Sequence, residues 1–133
     1  MIRVLMVEDQ PVVLNFWQYE FSKHKGEFEL LVATSAAAAR KIVSEQEIDV
    51  AIVDMGIPID PDSPDPKERE EHPRNGLLLL EELKSRHQVK TFALSGTLNP
   101  SLQRHIDCPL ITKPVKDFEE QVFTLLRTTN PGI

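Results

Sequence analysis

Five short apolar runs alternate along the chain with segments whose apolar residues recur at helical spacing. The runs lie near residues 2–7, 28–33, 48–54, 90–95 and 109–112. Short runs that are apolar throughout are typical of strands buried on both faces, as in parallel sheets. Strands that alternate with helices favour a parallel sheet with helices on both faces. We therefore predict an α/β fold with one five-stranded parallel sheet, built from a βα unit repeated five times.

The helices between these strands have recognisable starts, either a proline suited to the first turn or a polar side chain able to cap. The predicted starts are Pro11, Ser35, Asn75, and Asp117 with Glu120 three residues later. Residues 98–106 leave room for a short helix only.

An acidic, proline-rich stretch interrupts this pattern at residues 59–75. Loops longer than about 12–15 residues are uncommon in compact domains and are functional or disordered when present. No large apolar residue follows Ile59, so burial cannot offset the entropy lost on ordering. We predict a mobile insertion that is dispensable for the fold. Because it begins just beyond Asp54, a role in partner binding or as a lid is the alternative.

Length and charge limit the functional classes. The chain has 133 residues, enough for one domain, which we place at residues 1–128 with 129–133 as a tail or linker stump. A net charge of −6 argues against nucleic-acid binding by charge alone. The one cysteine, Cys108, fits a reducing compartment. No apolar stretch approaches the roughly 20 residues of a membrane span, and no secretory signal is seen. These features predict a soluble cytoplasmic protein.

Polar residues capable of chemistry follow the apolar runs, at the edge where open α/β sheets place their sites. They are Glu8 and Asp9 after the first run, Asp54 at the end of the third, Ser95 after the fourth and Lys113 after the fifth. A carboxylate can accept a phosphoryl group as a nucleophile, and clustered carboxylates suit Mg²⁺. A lysine can pair with phosphoryl oxygens, and a serine hydroxyl can add a hydrogen bond. The residues predict a site for a divalent cation and a phosphoryl group.

The combination of Glu8-Asp9, Asp54 with Pro58 after it, Ser95-Gly96 and Lys113-Pro114 resembles the receiver domain of two-component response regulators. The resemblance covers roughly residues 2–128. It implies a flavodoxin-like (βα)5 fold and a signalling phosphoacceptor rather than an enzyme with a separate substrate. Implied partners are a sensor histidine kinase or a histidine phosphotransfer protein, with a second copy or an effector domain also possible.

The same resemblance implies roles for individual residues. Asp54 accepts the phosphoryl group from a phosphohistidine. Mg²⁺ (or Mn²⁺) is held by Glu8, Asp9, Asp54 and the backbone carbonyl of Gly56. Lys113 pairs with the phosphorylated aspartate and precedes a cis peptide bond to Pro114, and Ser95 moves toward the phosphoryl group.

Three features depart from the family pattern. They are the long insertion, the short stretch from Ser95 to Lys113, and Leu110 at the position where the family carries its switch aromatic. Leu110 favours an alternative, a receiver-like interaction module whose output is non-standard or independent of phosphorylation. A nucleotide- or flavin-binding enzyme of the same architecture is disfavoured, because Glu8 and Asp9 stand where phosphate-binding glycines belong. For Asp9 alone, a helix-capping role is the other interpretation.

Overall fold

The computed structural model describes residues 1–96 and 104–128. Its strands are β1 (Ile2–Val7), β2 (Phe28–Ala33), β3 (Val50–Asp54), β4 (Lys90–Ser95) and β5 (Leu110–Thr112). All pair in parallel, in the order β2-β1-β3-β4-β5. The predicted five-stranded parallel sheet is confirmed, with small differences at the starts of β3 and β5.

The helices are α1 (Pro11–Ser22), α2 (Ala36–Glu45), α3 (Pro66–Arg69), α4 (Pro73–Arg86) and α5 (Thr124–Thr128), the last preceded by a π-helical turn (Glu119–Phe123). Most of the short helix predicted at 98–106 lies outside the described residues, and Arg104 and His105 form a turn. The tail predicted at 129–133 also lies outside them. No helix in the described ranges combines the length and apolar character needed to cross a membrane.

Each face of the sheet has its own apolar layer. Side chains alternate between the faces along a strand, so Ile52 in β3 joins one layer and Val53 the other. The first layer is rich in aromatic rings from α1 and the C-terminal helical segment, including Trp17, Phe21 and Phe123. The second is mainly aliphatic and is formed with α2 and α4. Helices therefore cover both faces, as predicted.

Two of the predicted helix starts need correction. Ser35 caps α2 as predicted, since its hydroxyl accepts from the N–H of Ala38 at 3.1 Å. Asn75 does not cap α4. That helix begins two residues earlier at Pro73, and His72 is its cap through Nδ1, which accepts from the N–H of Arg74. Proline suits the first helical position, which explains the earlier start.

The predicted capping box near Asp117 closes through a different residue. The Asp117 carboxylate accepts from the N–H of Glu120 at 3.1 Å, as predicted. The N–H of Asp117 in turn donates to the side-chain oxygen of Gln121 at 2.9 Å, rather than to Glu120. The turn that follows is π-helical and therefore wider than an α-helical turn, which suits a partner one residue further on.

Candidate functional site

The strand register brings the predicted site residues to one edge of the sheet. Val7 pairs with Val53, Asp54 with Leu94, and Ser95 with Thr112. The ladder continues past the strand ends: the N–H of Glu8 donates to the Ala33 carbonyl at 2.9 Å, and the N–H of Lys113 donates to the Ser95 carbonyl at 2.9 Å. Backbone pairing thus fixes the position of these residues along the strand direction, at the carboxyl edge of the sheet.

Three carboxylates converge at this edge. Glu8, Asp9 and Asp54 each offer an oxygen, and these oxygens lie within 4.8 Å of one another. Glu8 is fully buried and Asp54 is only 6% exposed. Asp9 does not cap α1, because Gln10 is the N-cap of that helix and no side chain caps it. Sequence reasoning placed this cluster correctly.

Lys113 connects two of the three carboxylates. Its Nζ lies 3.1 Å from Glu8 Oε2 and 3.1 Å from Asp54 Oδ1. The other Glu8 oxygen accepts from the N–H of Gln10 at 3.1 Å. Both oxygens of Glu8 therefore have protein partners, which holds Lys113 against Asp54. The peptide bond from Lys113 to Pro114 is cis, as the resemblance implied.

Burial and crowding shift the acidities of this cluster. Burial raises the pKa of Glu8, and the negative charge of Asp54 adds to the rise. Burial likewise raises the pKa of Asp54, with Lys113 acting in the opposite direction. Burial lowers the pKa of Lys113, but attraction to Asp54 and Glu8 outweighs it, so the net direction is upward. The carboxylates carry more negative charge than one lysine compensates, and a bound cation would relieve this.

The residues present suit a divalent cation. One oxygen of Asp9, Oδ1, is buried and has no hydrogen-bond partner among the described residues, a costly arrangement unless a further group binds there. The side-chain donors are all carboxylate oxygens, which hard cations such as Mg²⁺ and Mn²⁺ prefer. The Gly56 carbonyl as an additional ligand stays a prediction.

Ser95 and Gly76 both lie next to the carboxyl end of β3. Ser95 is buried at the end of β4, the strand next to β3. Gly76, in the first turn of α4, donates its N–H to the Met55 carbonyl at 3.2 Å. A β-carbon on Gly76 would lie 2.5 Å from Met55 Cα and 2.6 Å from the Asp54 carbonyl oxygen. Sequence reasoning did not identify this close approach; the available signal was a glycine inside a helical pattern.

The insertion, which the sequence predicts to be mobile, has local structure held by polar contacts; its mobility stays a prediction. At its start, the Ile59 carbonyl accepts from the N–H of Ala37 at 2.8 Å. Within it, Asp65 caps the short α3, and the buried Ser63 hydroxyl donates to Glu68 at 2.8 Å. At its end, His72 forms an antiparallel bridge with Ile57. Polar contacts supply the structure that apolar burial cannot. Whether the insertion is dispensable for the fold stays a prediction.

One acid of the insertion, Glu71, is affected by the cluster, and sequence reasoning did not single it out. Hydrogen bonding with Asp9 and the negative charges of Asp9, Asp54 and Glu8 raise the pKa of Glu71 to about 7. Nothing in the sequence distinguished Glu71 from the other acids of the insertion.

Comparisons with known proteins give the fold. The sequence matches no protein-family model and no curated protein. Solved structures do match. A receiver domain of an HD-domain protein from Pseudomonas fluorescens has a TM-score of 0.75 at 20% identity, covering 95% of this chain and 92% of that one. A CheY-like receiver domain from Methanospirillum hungatei has 0.69 at 20%, covering 96% and 93%.

A third similar structure carries a ligand. The response regulator TrrA from Thermotoga maritima, in complex with Mg²⁺-BeF, has a TM-score of 0.69 at 19% identity and covers 96% of this chain and 98% of that one. These matches extend over nearly the full length of both partners in each comparison. The chain therefore has the flavodoxin-like fold of CheY-like response-regulator receiver domains.

Proposed function

We propose that this chain is a response-regulator receiver domain that accepts a phosphoryl group on Asp54 in a Mg²⁺-dependent reaction. The donor is a phosphohistidine on a sensor histidine kinase or a histidine phosphotransfer protein. The observation that carries the proposal is the contact of Lys113 Nζ with Asp54 Oδ1 at 3.1 Å, inside a cluster of three carboxylates. A buried ion pair beside unpaired acids is costly as structure alone and is typical of functional sites.

In the proposed reaction, an Asp54 oxygen attacks phosphorus and forms an O–P bond as the N–P bond of the phosphohistidine breaks. The donor imidazole leaves with the electron pair of the broken bond. Lys113 is placed to donate to the phosphoryl oxygens, and Glu8 holds Lys113 in that position. Ser95, at the end of the next strand, would donate a hydrogen bond to the phosphoryl group once Asp54 is phosphorylated.

A divalent cation would be held by Glu8, Asp9, Asp54 and the Gly56 carbonyl. When bound, it supplies positive charge for the transferring phosphoryl group, whose transition state spreads negative charge over its oxygens. The complex of TrrA with Mg²⁺-BeF supports magnesium as the ion. The pathway role that follows is signal transduction through phosphotransfer, with a sensor histidine kinase or a histidine phosphotransfer protein as donor.

The test is the intact mass of the protein after incubation with Mg²⁺ and acetyl phosphate. We expect the wild type to gain the mass of one phosphoryl group and Asp54→Asn to gain none. Asp62→Asn, an exposed acid of the insertion, is the control and should be labelled like the wild type. Equal labelling of Asp54→Asn and wild type would refute Asp54 as the acceptor.

One observation favours the alternative of an interaction module whose output does not follow phosphorylation. Leu110 stands at the position of the family's switch aromatic and is 38% exposed on β5. This residue cannot provide an aromatic ring that moves between exposed and buried positions. A protein that gains the phosphoryl mass but shows the same backbone amide exchange before and after would support this alternative for the output.

A further inference from the structure

The side-chain amide of Asn75 joins the two ends of the insertion. Its Nδ2 donates to the Ile57 carbonyl at 2.8 Å and to the Glu70 carbonyl at 3.4 Å. Ile57 lies just before the insertion and Glu70 lies near its end. A side-chain amide carries two N–H donors, which matches these two acceptors. Asn75, which does not cap α4, therefore closes the insertion at its base.

The first turn of α4 also holds two carbonyls of the segment that follows β3. The Met55 carbonyl accepts from the N–H of Gly76 at 3.2 Å, and the Ile57 carbonyl accepts from the Asn75 amide at 2.8 Å. Both Met55 and Ile57 are buried. The bond from Asn75 comes from a side chain, so a substitution can remove it without changing the backbone donors.

Gly56 lies between these two carbonyls, and side-chain packing does not hold it. A β-carbon added there would have no atom within 4 Å among the described residues, its own chain neighbours apart. Glycine has more backbone freedom than any other residue. Its carbonyl therefore keeps one direction only if the peptide groups on either side are fixed, and the bonds from Gly76 and Asn75 fix them.

We propose that Asn75 is a positioning residue for the divalent-cation site, because its amide fixes the Ile57 carbonyl and with it the backbone at Gly56. The inference rests on the proposed function, in which the Gly56 carbonyl is a ligand of the cation. It goes beyond that function by giving a role to a residue that is not itself a ligand and that closes the insertion. The insertion is thereby fastened without displacing the segment that continues from Asp54.

Calorimetric titration of the metal-free protein with MgCl₂ compares two substitutions at the start of α4. Groups that orient metal ligands typically contribute about 10–100-fold in affinity, so Asn75→Ala should weaken Mg²⁺ binding by about tenfold or more. His72→Ala is the matched control. It removes the imidazole that caps the same helix but keeps the Asn75 amide, and it should bind Mg²⁺ like the wild type.

The Mg²⁺ dependence of phosphorylation by acetyl phosphate separates a displaced ligand from a damaged fold. Asn75→Ala should need about tenfold more Mg²⁺ for its half-maximal rate and should approach the wild-type rate when Mg²⁺ is saturating. A variant that only loosens the domain would have a lower rate at saturation and an unchanged Mg²⁺ requirement. That result would overturn the positioning role.

A milder substitution covers the case in which Asn75→Ala does not fold, which thermal unfolding of the metal-free protein detects. Asn75→Ser keeps one donor where the amide has two, and it should weaken Mg²⁺ binding by a smaller factor than Asn75→Ala. If Asn75→Ala is unfolded, wild-type Mg²⁺ affinity in Asn75→Ser would overturn the proposal.

The outcomes distinguish this inference from the proposed function. If the wild type binds no Mg²⁺, the metal site of the proposed function is wrong, and with it this inference. If the wild type binds Mg²⁺ and a folded Asn75→Ala binds equally well, Asn75 does not position the site, while the proposed function stands. Equal weakening by His72→Ala and Asn75→Ala would show a general effect of loosening α4 and would overturn the specific role.

Discussion

The charged residues at the two edges of the sheet differ in burial and in how completely they are paired. At the amino edge, acids and arginines pair at the surface: Arg3 with Glu29, and Arg127 with Glu27 through two contacts of 2.6 and 2.9 Å. At the carboxyl edge, buried carboxylates surround Lys113, whose side chain is only 17% exposed. Surface pairs contribute little to stability, whereas a buried excess of one charge is costly. The imbalance therefore marks the carboxyl edge as the place where a ligand is expected.

Removing one cation from each edge should have very different consequences. Lys113→Ala takes away the group placed to compensate the phosphoryl charge, and we expect phosphorylation by acetyl phosphate to slow by about a hundredfold. Mg²⁺ binding should persist, because the carboxylates remain. Arg127→Ala at the other edge should leave the rate unchanged. The rate is followed by intact mass, and normal transfer in Lys113→Ala would remove this lysine from the site.

Adding a β-carbon at each edge compares how closely the backbone is packed there. Gly76 lies against the backbone of Met55, so Gly76→Ala should lower the free energy of unfolding by about 1–3 kcal/mol or more. Gly26, near the amino edge, has open space around its missing β-carbon, and Gly26→Ala should change stability little. Urea denaturation measures both. Equal stability of the two variants would show that α4 can move away from β3 without cost.

Removing one acid from each edge should change stability in opposite directions. Asp9→Asn reduces repulsion in the cluster, so the metal-free protein should unfold at a higher temperature, while Mg²⁺ affinity falls by about tenfold or more. Glu27→Gln loses its pairing with Arg127 and should unfold at a slightly lower temperature. Thermal unfolding with and without MgCl₂ checks both. Unchanged Mg²⁺ affinity in Asp9→Asn would contradict the metal site.

Replacing the insertion by a short turn should have the smallest effect on stability. Its contacts are largely polar and near the surface, and loop-closure entropy changes slowly with length, by about 0.6 kcal/mol per doubling. We expect a change of less than about 1 kcal/mol in unfolding free energy, with an altered phosphotransfer rate or partner preference. A large loss of stability would show that the insertion is a packed part of the domain. Unchanged transfer with every donor would show that it is inert.

The sequence by itself determined the sheet and the edge at which the candidate site residues lie. Strand residues are buried on both faces, so their apolar runs are continuous and their ends are visible. Because parallel strands end at a common edge, the sequence predicts that Glu8, Asp9, Asp54 and Lys113 lie close together. An apolar run and the polar residue that follows it are neighbours in the sequence, so both can be recognised without the tertiary structure.

Only the tertiary structure decided which groups face each other across that edge. The end of the insertion returns to the end of β3 through the pairing of His72 with Ile57, and Asp9 raises the pKa of Glu71, a residue far from it in the sequence. The need for glycine at position 76 depends on how closely α4 approaches β3. The structure of the insertion depends on polar contacts such as that of Ser63 with Glu68. Hydrogen bonds between specific polar partners leave no periodic pattern in a sequence, whereas burial of apolar strands does.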